Sequence, residues 1–212
     1  MLSLPANPPL FLAAALIIAA VPGPGIFYVA ARALSEGRKA GIASTLGLGI
    51  GGLVHVIAGG LGVSAIILAS SQAFAALKFA GAIYLIWLGI RAFREADIPS
   101  VGPAKAGGTV RAFREGIVVE VTNPKTAAFF LAFIPQFLDP TTAHPALQFM
   151  MLGLISVTLN TLADFIVVAL AAVARANFMQ RPRLLQRLRR GSGVFMMGLG
   201  VSMLLARRPA TS

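Results

Sequence analysis

Apolar residues run almost unbroken through six stretches of the chain, 10–31, 41–69, 72–90, 116–138, 147–174 and 191–206, and polar residues gather in the short segments between them. A helix needs roughly 20 mainly apolar residues to cross a hydrocarbon core of about 30 Å. None of the six stretches alternates polar with apolar, as the strands of a membrane barrel do. A bilayer otherwise accepts only helices, because every backbone polar group must be satisfied within the segment. The pattern therefore predicts an all-α integral membrane protein of six transmembrane helices, with little chain left for a soluble domain.

Two of these stretches carry helix-breaking residues at their centres. Pro22-Gly23-Pro24-Gly25 interrupts the first, and Asn123-Pro124-Lys125 interrupts the fourth. A proline inside a helix removes a donor and clashes with the carbonyl four residues earlier, at a cost of about 3 kcal/mol. Each break frees backbone carbonyls, those near Ala19, Ala20 and Val21 in the first case, which lipid cannot satisfy but a polar protein-lined site can.

The breaks belong to an internal repeat. VPGPGIFYVA (21–30) aligns with TNPKTAAFFLA (122–132) through Pro24 and Pro124, and GAIYLIWLG (81–89) aligns with SGVFMMGLG (192–200), matching Tyr84 to Phe195, Leu88 to Leu199 and Gly89 to Gly200. With three spans in each half, the second half must be inverted relative to the first, the arrangement of many secondary transporters. The expected organisation is one membrane domain over 1–212, with three-helix repeats at 1–95 and 116–206 joined by a cytoplasmic linker at 96–115.

Composition agrees with this reading: of 212 residues, 57% are hydrophobic and 12% charged, and the formal net charge is +11. That excess of Lys and Arg sits in alternate loops, with fourteen in the first, third and fifth and three in the N-terminal, second and C-terminal segments and the fourth loop together. Basic loops stay in the cytoplasm, which predicts a multi-pass protein of the bacterial inner membrane with both termini periplasmic. No basic stripe carries stacking aromatics, so nucleic acid is not an expected partner. PRLLQRLRR in the fifth loop is amphipathic and basic, suited to the anionic inner leaflet. Met1 to Pro9 contains no Lys or Arg, so the first apolar run reads as a retained span rather than a signal peptide. With no cysteine and only His55 and His144, neither a metal centre nor a cofactor is expected.

Counted from the cytoplasmic ends at 1.5 Å per residue, Pro22–Gly25 lies about 9–14 Å deep and Lys125 and Asp164 about 15 Å, with Glu120 shallower, Asn160 deeper and His55 about 22 Å deep. Ionisable residues at such depth face a bundle interior or water. Pro22, Gly23, Pro24, Gly25, Asn123, Pro124, Lys125 and Asn160 are the candidate substrate-binding residues, and Asp164, Glu120 and His55 the candidates for proton coupling. A structural Lys125–Asp164 ion pair and a merely satisfied His55 are the plainer alternatives. Gly47-x-x-x-Gly51 in the second span lets helices approach closely.

The stretches PGPGIFYVAARALSEGRKAGIASTLGLGIGGLVH, FAGAIYLIWLGIRAFR and REGIVVEVTNPKTAAFFLAFIPQFLDP resemble the LysE/RhtB family of amino-acid exporters over nearly the full chain. The resemblance implies a six-span inner-membrane translocator that exports amino acids such as lysine, arginine, threonine or homoserine, in exchange for protons or driven by the membrane potential. Pro22, Gly23 and Pro24 match its first signature, and Asn123, Pro124 and Lys125 its second. Many members have Asp or another polar residue where this chain has Gly25, Asp or Asn in place of Gly52, and Asn in place of Glu120, which favours a neutral or apolar amino acid over lysine.

The expected function is thus export of an amino acid or similar metabolite, with a passive channel or structural membrane subunit as the alternative. Its partners are the small-molecule substrate, a coupling proton and the lipid bilayer. Glycine-rich spans also permit a homodimer. Helix N-termini created by the breaks, with Lys125, would receive the substrate carboxylate, and Asp164 or Glu120 its amino group or a proton. The chain has no Gly-x-Ser-x-Gly elbow and no His-Glu-x-x-His, and is not expected to be an enzyme.

Overall fold

Both predicted interruptions end one helix and start another. In a computed structural model, α1 (Pro8–Ala20) and α2 (Pro24–Glu36) meet at a 44° bend. The second bent pair is α5 (Gly108–Val121) and α6 (Pro124–Ala128), where α6 continues through a π turn (Phe129–Phe133) and a 3₁₀ turn (Ile134–Phe137), with a bend of 40°. The π turn has a local cause. Pro135 has no N–H and its ring crowds the carbonyl of Leu131, so the ladder widens just before it.

The structure describes residues 7–69, 71–94, 108–139 and 142–174, with scattered helical positions between 186 and 204. Among the described residues all regular structure is helical. Two helices are long and apolar enough to cross a membrane, Arg38–Gly62 of α3 (Arg38–Ala69) and Pro145–Ala171 of α7 (Pro145–Ala174), and each bent pair qualifies as one further span. The third predicted stretch lies on α4 (Ser71–Arg94). Most of the sixth stretch, with Phe195, Leu199 and much of PRLLQRLRR, falls outside the described residues. Gly200, a described residue of that stretch, lies against Ala82 and Ile86 of α4.

Helix ends depart from the expected loops. α2 runs on to Glu36, and Gly37, at φ 93°, makes the one-residue reversal into α3. Arg32, assigned from sequence to the first cytoplasmic loop, is instead a helical residue only 2% exposed. Its guanidinium is tolerated there because it pairs with Glu36 and with Glu115 of α5 and donates to the Tyr28 hydroxyl. The 96–115 linker likewise gives way to α5 from Gly108.

Glycines set how closely the helices approach. A Cβ on Gly47 would lie 2.1 Å from the Phe113 carbonyl oxygen, and one on Gly51 2.7 Å from that of Ile117, so α3 and α5 pass with backbones in contact. On another face of α3, Gly41, Gly49, Gly52 and Gly59 lie against Val168, Thr161, Val157 and Phe149 of α7. The order of these contacts makes α5 parallel to α3 and α7 antiparallel to it. Gly25 against Leu48 and Gly41 against Ala33 make α2 antiparallel to α3. An aromatic cluster of Phe11, Phe129, Phe130, Phe133, Phe137 and Phe149 packs between α1, the end of the second bent pair and α7.

Candidate functional site at the two helix breaks

The two breaks face each other. Gly23 has no side chain, and a Cβ there would lie 2.9 Å from Cδ of Lys125, so the lysine stem crosses the first break through the space that glycine leaves. Its ammonium donates to the carbonyls of Ile18, at 2.9 Å, and Val21, at 2.8 Å. Pro22 removes the helical donor of Ile18, which keeps a bond from the Val21 amide at 3.2 Å, and the end of α1 at Ala20 leaves Val21 outside the helical ladder. The second break is satisfied from another element: His55 Nε2 of α3 donates to the Glu120 carbonyl at 3.0 Å, which the Asn123 amide also reaches. His55 stacks near Phe130 at 5.7 Å.

Asn123 caps α6, its Oδ1 accepting from the Lys125 amide at 3.1 Å, as asparagine does at a helix start. Its Nδ2 donates to Glu120 Oε2 at 2.9 Å, and Thr126 Oγ1 donates to Oε1 at 2.7 Å. Both oxygens of this buried carboxylate are therefore engaged. Glu120 also lies at the start of α2, with Oε2 3.2 Å from where a Gly25 Cβ would be. Gly23 supplies no side-chain cap to α2, so a neighbouring carboxylate meets the positive end of that helix.

Asp164 lies on α7, 4% exposed, within electrostatic range of Glu120 and Lys125. It makes neither a hydrogen bond nor an ion pair with any described residue, so the Lys125–Asp164 pair is not formed. Asn160, one turn away, donates to the Ser156 carbonyl at 2.8 Å. Pro22 and Pro124 are half-buried at the breaks and Pro24 is exposed. Glu120, Asn123, Lys125 and His55 thus gather around the breaks with Pro22–Gly25 and Pro124, Asp164 lies on the facing helix within electrostatic range, and Asn160, among the described residues, bonds only within its own helix.

Three contributors were not singled out from sequence. Thr126 binds Glu120 only because the break folds α6 back over α5. The Arg32–Glu36 spacing of four was the legible hint of the Arg32 network. Thr45 of α3 is completely buried, and its hydroxyl has no hydrogen-bond partner among the described residues.

Residues 16–207 match the family model for LysE type translocator. The chain belongs to this family. LysE type translocators are transport proteins, and the protein is a transporter rather than an enzyme. It is 31% identical over 93% of its length to a Vibrio cholerae membrane protein named only as uncharacterized, of which 96% is covered. It is 30% identical to a homoserine/homoserine lactone efflux protein of Salmonella typhimurium, covering 93% of this chain and 95% of that one. A leucine efflux protein of Klebsiella pneumoniae is 30% identical over 68% of this chain and 69% of its own. No solved structure matches this translocator.

Proposed function

We propose that the protein exports amino acids or closely related small metabolites across the bacterial inner membrane, coupled to protons or to the membrane potential. The observation that carries this is Lys125 of the second break meeting the freed carbonyls of the first, beside Glu120 and Asp164. Irregular backbone at membrane depth is tolerated where it lines a binding site, and broken helices hold substrate and coupling ion in many carriers. Efflux relatives named for homoserine, its lactone and leucine favour a small amino acid.

The substrate site comprises Pro22–Gly25, Asn123–Lys125 and Asn160, with Glu120, Asp164 and His55 as the titratable groups available for coupling. The antiparallel course of α2 against α5, where Gly25 meets Glu120 and Asn123 while Tyr28 meets Ala112, supports two inverted halves, 1–95 and 116–206, joined by the linker between them within one membrane domain. The distribution of basic residues favours periplasmic termini, and the glycine-rich spans a homodimer.

The test is to load cells lacking their own exporters with dipeptides of each amino acid in turn. Expression should relieve accumulation of one or a few of them, and purified protein in proteoliposomes should show saturable counterflow of the same amino acid. Relief of none would reject the exporter; flux without counterflow would mark a channel.

A further inference from the structure

Among the polar groups around the breaks, the positive ones are already matched. Lys125 donates to two backbone carbonyls, and the start of α2 faces the Glu120 carboxylate. Glu120 in turn accepts from Asn123 and Thr126. What remains is a buried carboxylate without a donor, Asp164. With Glu120 and Asp164 against Lys125, the formal charge of the cluster is one unit negative.

A second unmatched group points to the same place. Ser35, Ser44, Thr122, Ser156 and Thr158 all donate their hydroxyls to the carbonyl four residues earlier. Thr45 does not, and its Oγ1 is buried without a partner among the described residues. Gly41 and Gly49, one turn either side of Thr45, lie against Val168 and Thr161, and these are one turn either side of Asp164. Thr45 and Asp164 therefore occupy facing positions at the α3–α7 crossing. Buried polar groups in folded proteins are almost always paired, so two unpaired ones facing each other mark a place for a ligand that donates.

We propose that Asp164 and Thr45 form an ammonium-binding subsite between α3 and α7, and that the transporter recognises its substrate by the amino group rather than by the carboxylate. A primary ammonium offers three donors and one positive charge, which the carboxylate and the hydroxyl oxygen accept, and it neutralises the cluster. Among the described residues the carboxylate of an amino acid has no such unmatched counterpart, so amides, esters and lactones of amino acids are ligands too. This inference rests on the exporter reading and deepens it.

The experiment uses full-length protein purified in detergent and labelled at buried carboxyl groups with dicyclohexylcarbodiimide, with modification of Asp164 followed by mass spectrometry. An equimolar mixture of L-amino-acid amides should slow labelling of Asp164 at least fivefold. A mixture of N-acetyl-L-amino acids, which keep the carboxylate and lose the ammonium, should not. Thr45→Val should raise the amide concentration needed by about tenfold, as expected for one hydrogen bond to a charged group, while Thr45→Ser restores it; both variants are compared at equal size-exclusion profiles. Protection by the N-acetyl mixture, equal protection by sodium chloride alone, no protection by the amides, or an unchanged Thr45→Val would each overturn the proposal. Protection by amides alongside a failed efflux screen would sink the exporter reading and leave the subsite; successful export with protection by N-acetyl compounds would do the reverse.

Discussion

The ammonium of Lys125 lies 2.8 Å from the carbonyl oxygen of Val21, a residue 104 positions earlier in the chain. This bond, with its companion to Ile18, ties the second helix break to the first. The unwound turn at Val21–Gly23 is stable in an apolar setting because a charged donor from the second break replaces the helical donors it lacks.

Removing that donor should therefore weaken the whole fold. Lys125→Met keeps most of the stem but leaves the Val21 carbonyl without its donor and the Ile18 carbonyl with only the Val21 amide at 3.2 Å, and the expected loss is about 2 kcal/mol. Chemical denaturation in detergent, following helicity, measures it; a loss under about 1 kcal/mol would mean that water or other groups replace the lysine.

Close helix approach makes a sharp contrast between glycines. A Cβ on Gly47 would meet the Phe113 carbonyl at 2.1 Å, whereas Gly62 has nothing within 4 Å. Gly47→Ala should separate α3 from α5 and destabilise by about 2–3 kcal/mol through overpacking. Gly62→Ala should be neutral or stabilising by up to about 1 kcal/mol from helix propensity. Thermal unfolding of the two variants side by side checks the pair, and similar shifts would contradict the contact.

Arg32 and Glu115 join α2 to α5. Arg32 is buried while Glu115 is partly exposed, so deleting the carboxylate costs less than deleting the guanidinium. A double-mutant cycle with Arg32→Met and Glu115→Gln should give a coupling of about 1–3 kcal/mol. A coupling near zero would show that Glu36 and Tyr28 alone hold the guanidinium.

Asn123 serves two partners at once, the α6 amide of Lys125 and the Glu120 carboxylate. Asn123→Ala should cost about 1 kcal/mol as a lost cap. It should also lower export far more than that loss of stability explains, because Glu120 is no longer held. Efflux normalised to membrane-inserted protein tests this, and undiminished export would place Glu120 outside the transport site. Asn123→Asp preserves the cap but sets two carboxylates together, and should rescue stability without rescuing export.

What the sequence determined by itself was set by local physics. Apolar run lengths marked where the helices lie, and Pro22, Pro24 and Pro124 marked where two of them break, because those constraints act within a few residues of the backbone. The candidate polar residues were legible for the same reason: a lysine or carboxylate far inside an apolar run is costly wherever its neighbours turn out to be.

Partnership was not legible. That Lys125 serves Ile18 and Val21 rather than Asp164, that His55 meets the Glu120 carbonyl, and that Arg32 is buried instead of solvated all follow from which helices the glycines let into contact. Those contacts join residues tens to a hundred positions apart, and no spacing along the chain encodes them. Tertiary structure alone decided which buried charges are matched at the breaks and left Asp164 and Thr45 unmatched, since pairing depends on distances that exist only once the helices have packed.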